Sequence, residues 1–284
     1  LMQWNYEEAF SRNIGLVTKE EQAKIKNTRI AIGGMGGVGG VHLVTLIRMG
    51  FTKFTIADFD TFEVANFNRQ FGATINTVGQ EKAKAMKEYA LSINPEADIK
   101  VISTALCDSN LDEFLEDASI YVDGLDVFVI DIRRKVFNKA REKGIWSVSA
   151  GPIGFGTSWI VFSPQGMSFD AYFGMSESQG TFQKFCAFLV GLSPRLLHKS
   201  YFDRSTVSFA NKKGPSNMLS CQLCAGVVGG EVLKIAIGRG TIKAAPYYHQ
   251  FDSYRLKYKS GRVWGGGKSL IQRLKRMFVE RVLS

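Results

Sequence analysis

At 284 residues, 45% hydrophobic and 22% charged, the chain has a globular composition, which excludes disorder and suits one large domain or two small ones. Its four cysteines are too few for a disulfide scaffold, so a reduced, cytoplasmic setting is expected; residues 1–10 lack a secretory leader pattern, and no run approaches the roughly 20 apolar residues of a membrane span. The net charge of +10 is unevenly placed: nine Lys/Arg against the single acid Glu280 lie from Arg255 onward, leaving a near-neutral body that does not read as a nucleic-acid-binding core.

Thr18, with Glu21 three residues later, has capping-box spacing and opens a short polar helix through about Lys26. Arg29-Ile30-Ala31-Ile32 reads as a buried strand that runs into glycine, six of the eight residues at 33–40. Residues 41–49 are apolar and helix-like, with Gly50 as the stop. A second strand at 54–57 ends at Asp58-Phe59-Asp60, and a helix at 81–92 stops near Pro95. Strands at 99–102, 119–122 and 146–148 then alternate with helices at 111–116 and 132–143. This alternation predicts an α/β fold of Rossmann-like type: a parallel sheet with helices on both faces.

Beyond Gly151 the pattern changes toward mixed or antiparallel strands. A strand is expected at 157–162, an aromatic-rich stretch of weak periodicity at 166–214, and a long apolar helix at 217–237 closed by Gly238. A strand-like piece at 247–258 precedes Gly265-Gly266-Gly267 and a basic terminal helix. No linker separates independent domains. The chain divides into a nucleotide-binding half (29–150), a second half (151–258) and a basic tail (259–284).

The nucleotide reading comes from Gly34-x-Gly36-x-x-Gly39 between the first strand and helix. There, glycines permit a tight turn and close approach to phosphates, and the helix N-terminus favours an anion. Asp58 ends the second strand, where a carboxylate can accept from ribose hydroxyls. No Gly-Lys-Ser/Thr is present, which excludes a Walker-type loop. An Arg and a Lys converging on phosphates suit an ATP-using enzyme, in which charge develops on the phosphoryl group under attack.

Gly34-Met35-Gly36-Gly37-Val38-Gly39, Asp58-x-Asp60, Asn66-x-x-Arg69-Gln70, Lys82 and Asp126, in this order and spacing, resemble the ubiquitin-activating-enzyme-like adenylyltransferases of the ThiF/MoeB type. The resemblance covers roughly residues 10–165 and continues weakly in the helix ending Glu231-Val232-Leu233-Lys234. It implies ATP bound by Gly34, Gly36, Gly37, Gly39, Asp58 and Asp60, with Asn66, Arg69 and Lys82 around the phosphates and Asp126 on Mg2+. Ser11-Arg12-Asn13-Ile14 resembles the family's N-terminal arginine segment, which implies a homodimer with Arg12 reaching the neighbouring subunit's triphosphate. The implied chemistry is attack by a substrate carboxylate on the α-phosphorus, giving an acyl adenylate and pyrophosphate. Plainer readings stand beside these roles: Arg12, Lys82, Arg69 and Asp126 as solvated surface charges, Asp60 as a turn residue, His42 as a packed histidine.

The chain departs from the family pattern in two places. It has one Cys-x-x-Cys pair, Cys221 and Cys224, where many relatives have two, so zinc is not expected. Where the family carries a catalytic cysteine, this chain reads Ala210-Asn211-Lys212; Cys186 is a weak substitute. Phe169, Tyr172, Phe173, Phe182, Phe185 and Phe188 either line an acceptor groove or pack in the core. The acyl substrate stays open among the C-terminus of a ubiquitin-like or sulfur-carrier protein, a peptide and a small carboxylate. Three other functions also stay open: a tRNA-modifying dehydratase of the same family, a nicotinamide- or flavin-binding oxidoreductase, and a non-catalytic nucleotide-binding scaffold. In the tail, Leu270, Ile271, Leu274, Met277, Phe278 and Val282 recur at spacings of three and four among basic residues. That is a basic amphipathic helix, free to move on its glycines, for a protein groove, an anionic membrane or RNA; the alternative is a helix packed on its own body.

Overall fold

The computed structural model describes residues 4–212 and 214–283, so Lys213 of the aromatic stretch and Ser284 of the tail lie outside the described residues. Eight strands form one sheet: β1 (Arg29–Gly33), β2 (Lys53–Ala57), β3 (Asp98–Ile102), β4 (Ile120–Asp123), β5 (Trp146–Ile153), β6 (Gly156–Phe162), β7 (Tyr247–Asp252) and β8 (Lys257–Arg262). Their spatial order is β3-β2-β1-β4-β5-β6-β7-β8. The pairings from β3 through β5 are parallel, and those from β5 to β8 are antiparallel. The expected change of sheet character after Gly151 is therefore observed.

The helices are α1 (Tyr6–Ala9), α2 (Lys19–Asn27), α3 (Gly37–Arg48), α4 (Lys82–Ile93), α5 (Leu111–Phe114), α6 (Ile130–Glu142), α7 (Phe169–Phe173), α8 (Thr181–Leu192), α9 (Met218–Ile237) and α10 (Leu270–Leu283). The α2 start follows its sequence: Thr18 Oγ1 accepts from the Glu21 amide at 3.1 Å, and the Glu21 carboxylate accepts from the Thr18 amide at 2.9 Å. One core, with residues from α3, α4 and α9, covers one face of the sheet. A second, with residues from α5 to α8, covers the other. Strands buried on both faces read as continuous apolar runs, which is why β1 and β4 were legible without alternation.

Several expectations need correction. α9 is long and apolar enough, by length and composition alone, to cross a bilayer, contrary to the count of apolar runs. Half of that stretch is buried in this fold, where α9 packs on α3, β5 and β6. The aromatic stretch holds two regular helices, α7 and α8. Phe169, Tyr172, Phe173, Phe185 and Phe188 are buried core side chains, so packing, not a groove, accounts for them; Phe182 packs on Phe209. The strand-like piece at 247–258 is a hairpin, with Leu256 at φ +49° in its turn. The three glycines before α10 are no free hinge. A Cβ on Gly267 would overlap the Phe173–Gly174 backbone, and one on Gly266 would overlap the Ala171 carbonyl, so these positions are glycine because two backbones touch there.

Candidate active site

Strand order reverses between β1 and β4, and in such sheets ligands bind outside the carboxyl ends of the strands at that switch point. The glycine run occupies it. Gly34 has φ +84°, and a Cβ on Gly39 would overlap the Gly34 carbonyl oxygen, so the strand can turn into α3 only with glycine at both places. The start of α3, which has no side-chain cap, presents backbone N–H groups and the positive end of its dipole at that switch point.

Around this loop the remaining residues assemble from separate segments. Asp58 clamps the loop: its Oδ2 accepts from the Met35 amide at 2.6 Å and its Oδ1 from the Asp60 amide at 2.8 Å. Burial pushes the Asp58 carboxyl above the usual carboxylate range, against the lowering effect of these two donors. Lys82, at the start of α4, is buried and not a solvated surface charge. Its ammonium sits 3.2 Å from the Asp60 carboxylate, and its amide donates to the Asp60 carbonyl at 2.9 Å. Asp60 is therefore more than a turn residue, because it holds the lysine. Asn66 is buried, its Oδ1 accepting from the Glu63 amide at 3.0 Å, which leaves its amide group as a donor. The Arg69 stem packs near the Gly37 backbone, while its guanidinium donates to the Ala65 carbonyl and the Asn68 side chain at 2.9 and 3.1 Å.

Asp126 is exposed on the loop between β4 and α6, with Oδ1 accepting from the Phe128 amide at 2.9 Å. This loop abuts the glycine run: the Gly124 amide donates to the Gly33 carbonyl at 2.8 Å, and a Cβ on Gly124 would lie 2.7 Å from the Gly39 Cα. Arg12 is not brought to the site within its own chain. It is exposed beside Asn13, whose amide donates to the Met49 carbonyl at 3.0 Å beyond the far end of α3, about 18 Å along that 12-residue helix from the loop.

Other groups were missed by sequence reasoning. Asp123 and Arg133 form a buried ion pair at 2.9 Å, both 3% exposed. Ser149 Oγ donates to the same carboxylate at 2.7 Å, and Arg133 also donates to the Leu125 carbonyl, which shapes the loop that presents Asp126. The signal was present: Arg133 interrupts the buried stripe of α6 formed by Ile130, Phe137 and Ala140. Asn68 and Asn217 clip the arginine loop to α9 and the β5–β6 turn: Asn68 donates to the Ser216 carbonyl, and Asn217 to the Gly154 carbonyl, each at 2.8 Å. Gln70 Oε1 is buried without a hydrogen-bond partner near the Gly36 backbone.

The cysteines pack. Cys221 lies against the glycine loop, and Cys224 shares a 3.1 Å contact with the Thr157 hydroxyl. Cys186 is buried, and burial pushes its thiol up to about 12, which leaves it a poor nucleophile. Among the described residues no group of three His, Cys, Asp or Glu side chains could hold a metal. Asp126 alone does fit Mg2+, which takes one or two carboxylates and completes its shell with phosphate oxygens and water.

Beyond this geometry, the ThiF family profile matches residues 10–265. The chain belongs to the ThiF family. Among curated relatives it is 34% identical over 113 residues to the tRNA threonylcarbamoyladenosine dehydratase of Bacillus subtilis (strain 168), covering 40% of this chain and 44% of that one. It is also 34% identical over 109 residues to a probable molybdopterin-synthase adenylyltransferase of Porphyra purpurea, covering 38% and 28%. The matched part spans less than half the length of either relative. In fold, this ThiF-family protein is similar to Escherichia coli MccB solved with ATP, with a TM-score of 0.66 at 18% identity over 92% of this chain and 74% of that chain. It is similar too to TcdA (CsdL), with a TM-score of 0.61 at 18% identity over 84% and 97%.

Proposed function

We propose that this ThiF-family protein uses Mg-ATP to adenylate a substrate carboxylate and release pyrophosphate. The observation that carries this reading is the pair of cations from unconnected segments beside the glycine loop: Arg69 packed near Gly37, and Lys82 buried and held by Asp60. A hydride-transfer site has no evident need of such a pair, whereas a phosphoryl centre gathering negative charge does.

In this mechanism the loop amides and the α3 N-terminus receive the phosphates, and Asp58 takes a ribose hydroxyl on a lone pair not used by the loop. A substrate carboxylate oxygen attacks the α-phosphorus, and the bond to the bridging β-phosphate oxygen breaks. Asn66, Arg69 and Lys82 face the charge that develops; Lys82 is already desolvated and oriented, so little reorganisation accompanies the step. Mg2+, held by Asp126, would neutralise the leaving pyrophosphate. Arg12 acts across a homodimer, consistent with its distance from its own loop.

A second reading concerns only the carrier of the carboxylate. Similarity to tRNA threonylcarbamoyladenosine dehydratases and the lack of cysteine at 210–212 favour a carboxylate on a modified tRNA base over a thioester-forming protein pathway. The test is ATP–pyrophosphate exchange with small carrier proteins ending in Gly-Gly, short peptides and threonylcarbamoyl-modified tRNA as separate acceptors. Exchange with one class assigns the substrate. Tight NADH binding without any ATP binding would overturn the adenylation reading itself.

A further inference from the structure

The terminal helix α10 turns its apolar face away from the body that it packs on. Leu270, Ile271, Leu274, Met277, Phe278 and Val282 are all exposed, Leu270 at 70% and Phe278 at 62%. At 3.6 residues per turn they fall within an arc of roughly 140°, which also takes in Arg281 in the last turn. The opposite side does the packing: Gln272 is buried, Val279 and Leu283 join the cluster of Phe128, Phe185 and Cys186, and Arg276 donates to the Gly174 carbonyl at 2.8 Å. The Gly267 backbone pressed on Phe173–Gly174 holds the start of the helix. A fixed helix with its apolar stripe outward is the reverse of ordinary amphipathic packing, in which that stripe faces the core.

The charges around the stripe indicate what covers it. Lys268 stands at the entry to the helix, Arg273 borders one side of the stripe and Lys275 the other, while the only acid of this segment, Glu280, lies off it. Trp264, 71% exposed, precedes the helix with the Arg262 guanidinium 4.1 Å from its ring centre. A second copy of the chain would bring a basic surface against an equally basic one. An anionic lipid surface brings the opposite charge together with an apolar layer deep enough for half a helix.

We propose that α10, with Trp264, is a membrane-surface helix that seats the protein on anionic lipid, its apolar stripe at the headgroup–acyl boundary and its basic borders among the headgroups. Rigid attachment to the body then fixes the orientation of the folded domain on the membrane. The proposal is independent of the adenylation reading, because lipid binding needs no nucleotide.

The test is co-sedimentation of the whole protein with vesicles of phosphatidylcholine containing about one-third phosphatidylglycerol, and with pure phosphatidylcholine vesicles. Binding should be at least tenfold stronger to the anionic vesicles and fall steeply at high salt, because headgroup attraction is screened. Leu274→Glu/Phe278→Glu, at two exposed positions, should abolish it while the melting temperature and ATP binding stay as in the parent. Lys268→Glu/Arg273→Glu should weaken it at low salt. No binding to anionic vesicles, or binding that the double glutamate variant leaves unchanged, overturns the proposal. So does a concentration-dependent dimer that the same variant dissolves in the absence of vesicle binding, which would assign the stripe to a second copy.

Discussion

Arg69 and His42 are two residues whose charge matters in opposite ways. Arg69 is half-buried beside the glycine loop, and its guanidinium is tied only to a carbonyl and a neutral amide, so its positive charge has no carboxylate to oppose it in these contacts. Removing one such donor to a developing anion costs about 10² to 10³ in rate. Arg69→Ala should lower adenylate formation by roughly that factor while ATP affinity changes less; single-turnover kinetics and calorimetry separate the two. Near-normal turnover would remove Arg69 from the mechanism. His42 is fully buried in α3, neither ring nitrogen has a hydrogen-bond partner, and burial lowers its pKa to about 3. The folded state therefore keeps the ring neutral, whereas the unfolded chain takes up a proton below about pH 6.5. The stability that this neutral ring contributes is complete above pH 6.5 and is lost as pH falls toward 3, at about 1.4 kcal/mol per pH unit. His42→Leu should flatten the acid limb of a thermal-melting profile; an unchanged limb counts against a buried neutral histidine.

At the scale of the element, the loop between β4 and α6 depends on a pair that has no direct part in the chemistry. Asp123 ends β4, Arg133 lies one turn into α6, and together they are buried and hydrogen-bonded to Ser149 and Leu125. Removing one partner of such a pair strands the other charge and costs about 3–5 kcal/mol. Arg133→Met should lower the melting temperature and also impair Mg2+-dependent ATP binding, because Asp126 loses its fixed loop. Arg133→Lys should recover part of the stability but cannot bond the Asp123 carboxylate through Nε and the Leu125 carbonyl through Nη2 at once. If Mg2+-dependent binding survives in a destabilised Arg133→Met, the pair serves stability alone. Boundaries of strand–helix alternation were legible to within a few residues, as at α4 and α6, because turn residues and apolar runs mark them. The pairing of α6 with β4 was not legible, because Arg133 was easily read as one more basic residue on a charged helix.

At the scale of the whole molecule, Arg12 stands at the opposite end of α3 from the glycine loop of its own chain, so its proposed role needs a second subunit. Mixing inactive Arg12→Ala chains with inactive Asp126→Ala chains should restore part of the activity, because each heterodimer that forms holds one intact site. Light scattering should show a dimer, and a monomer across working concentrations would exclude a partner-supplied arginine.

The sequence by itself determined the α/β alternation, the position of the glycine turn, Asp58 at the second strand end and the family's dispersed residues. These are local or fixed-spacing features: glycine where φ is positive or backbones touch, a capping box, apolar runs in strands buried on both faces. Tertiary structure decided what depends on contacts across the chain. It buried Lys82 against Asp60, made core packing of the aromatics in α7 and α8, and turned Gly266 and Gly267 into a close approach where a linker was expected. It also set the apolar stripe of α10 outward. Hydrophobic periodicity reports that a helix has two faces, but only the surface that it meets decides which face is buried.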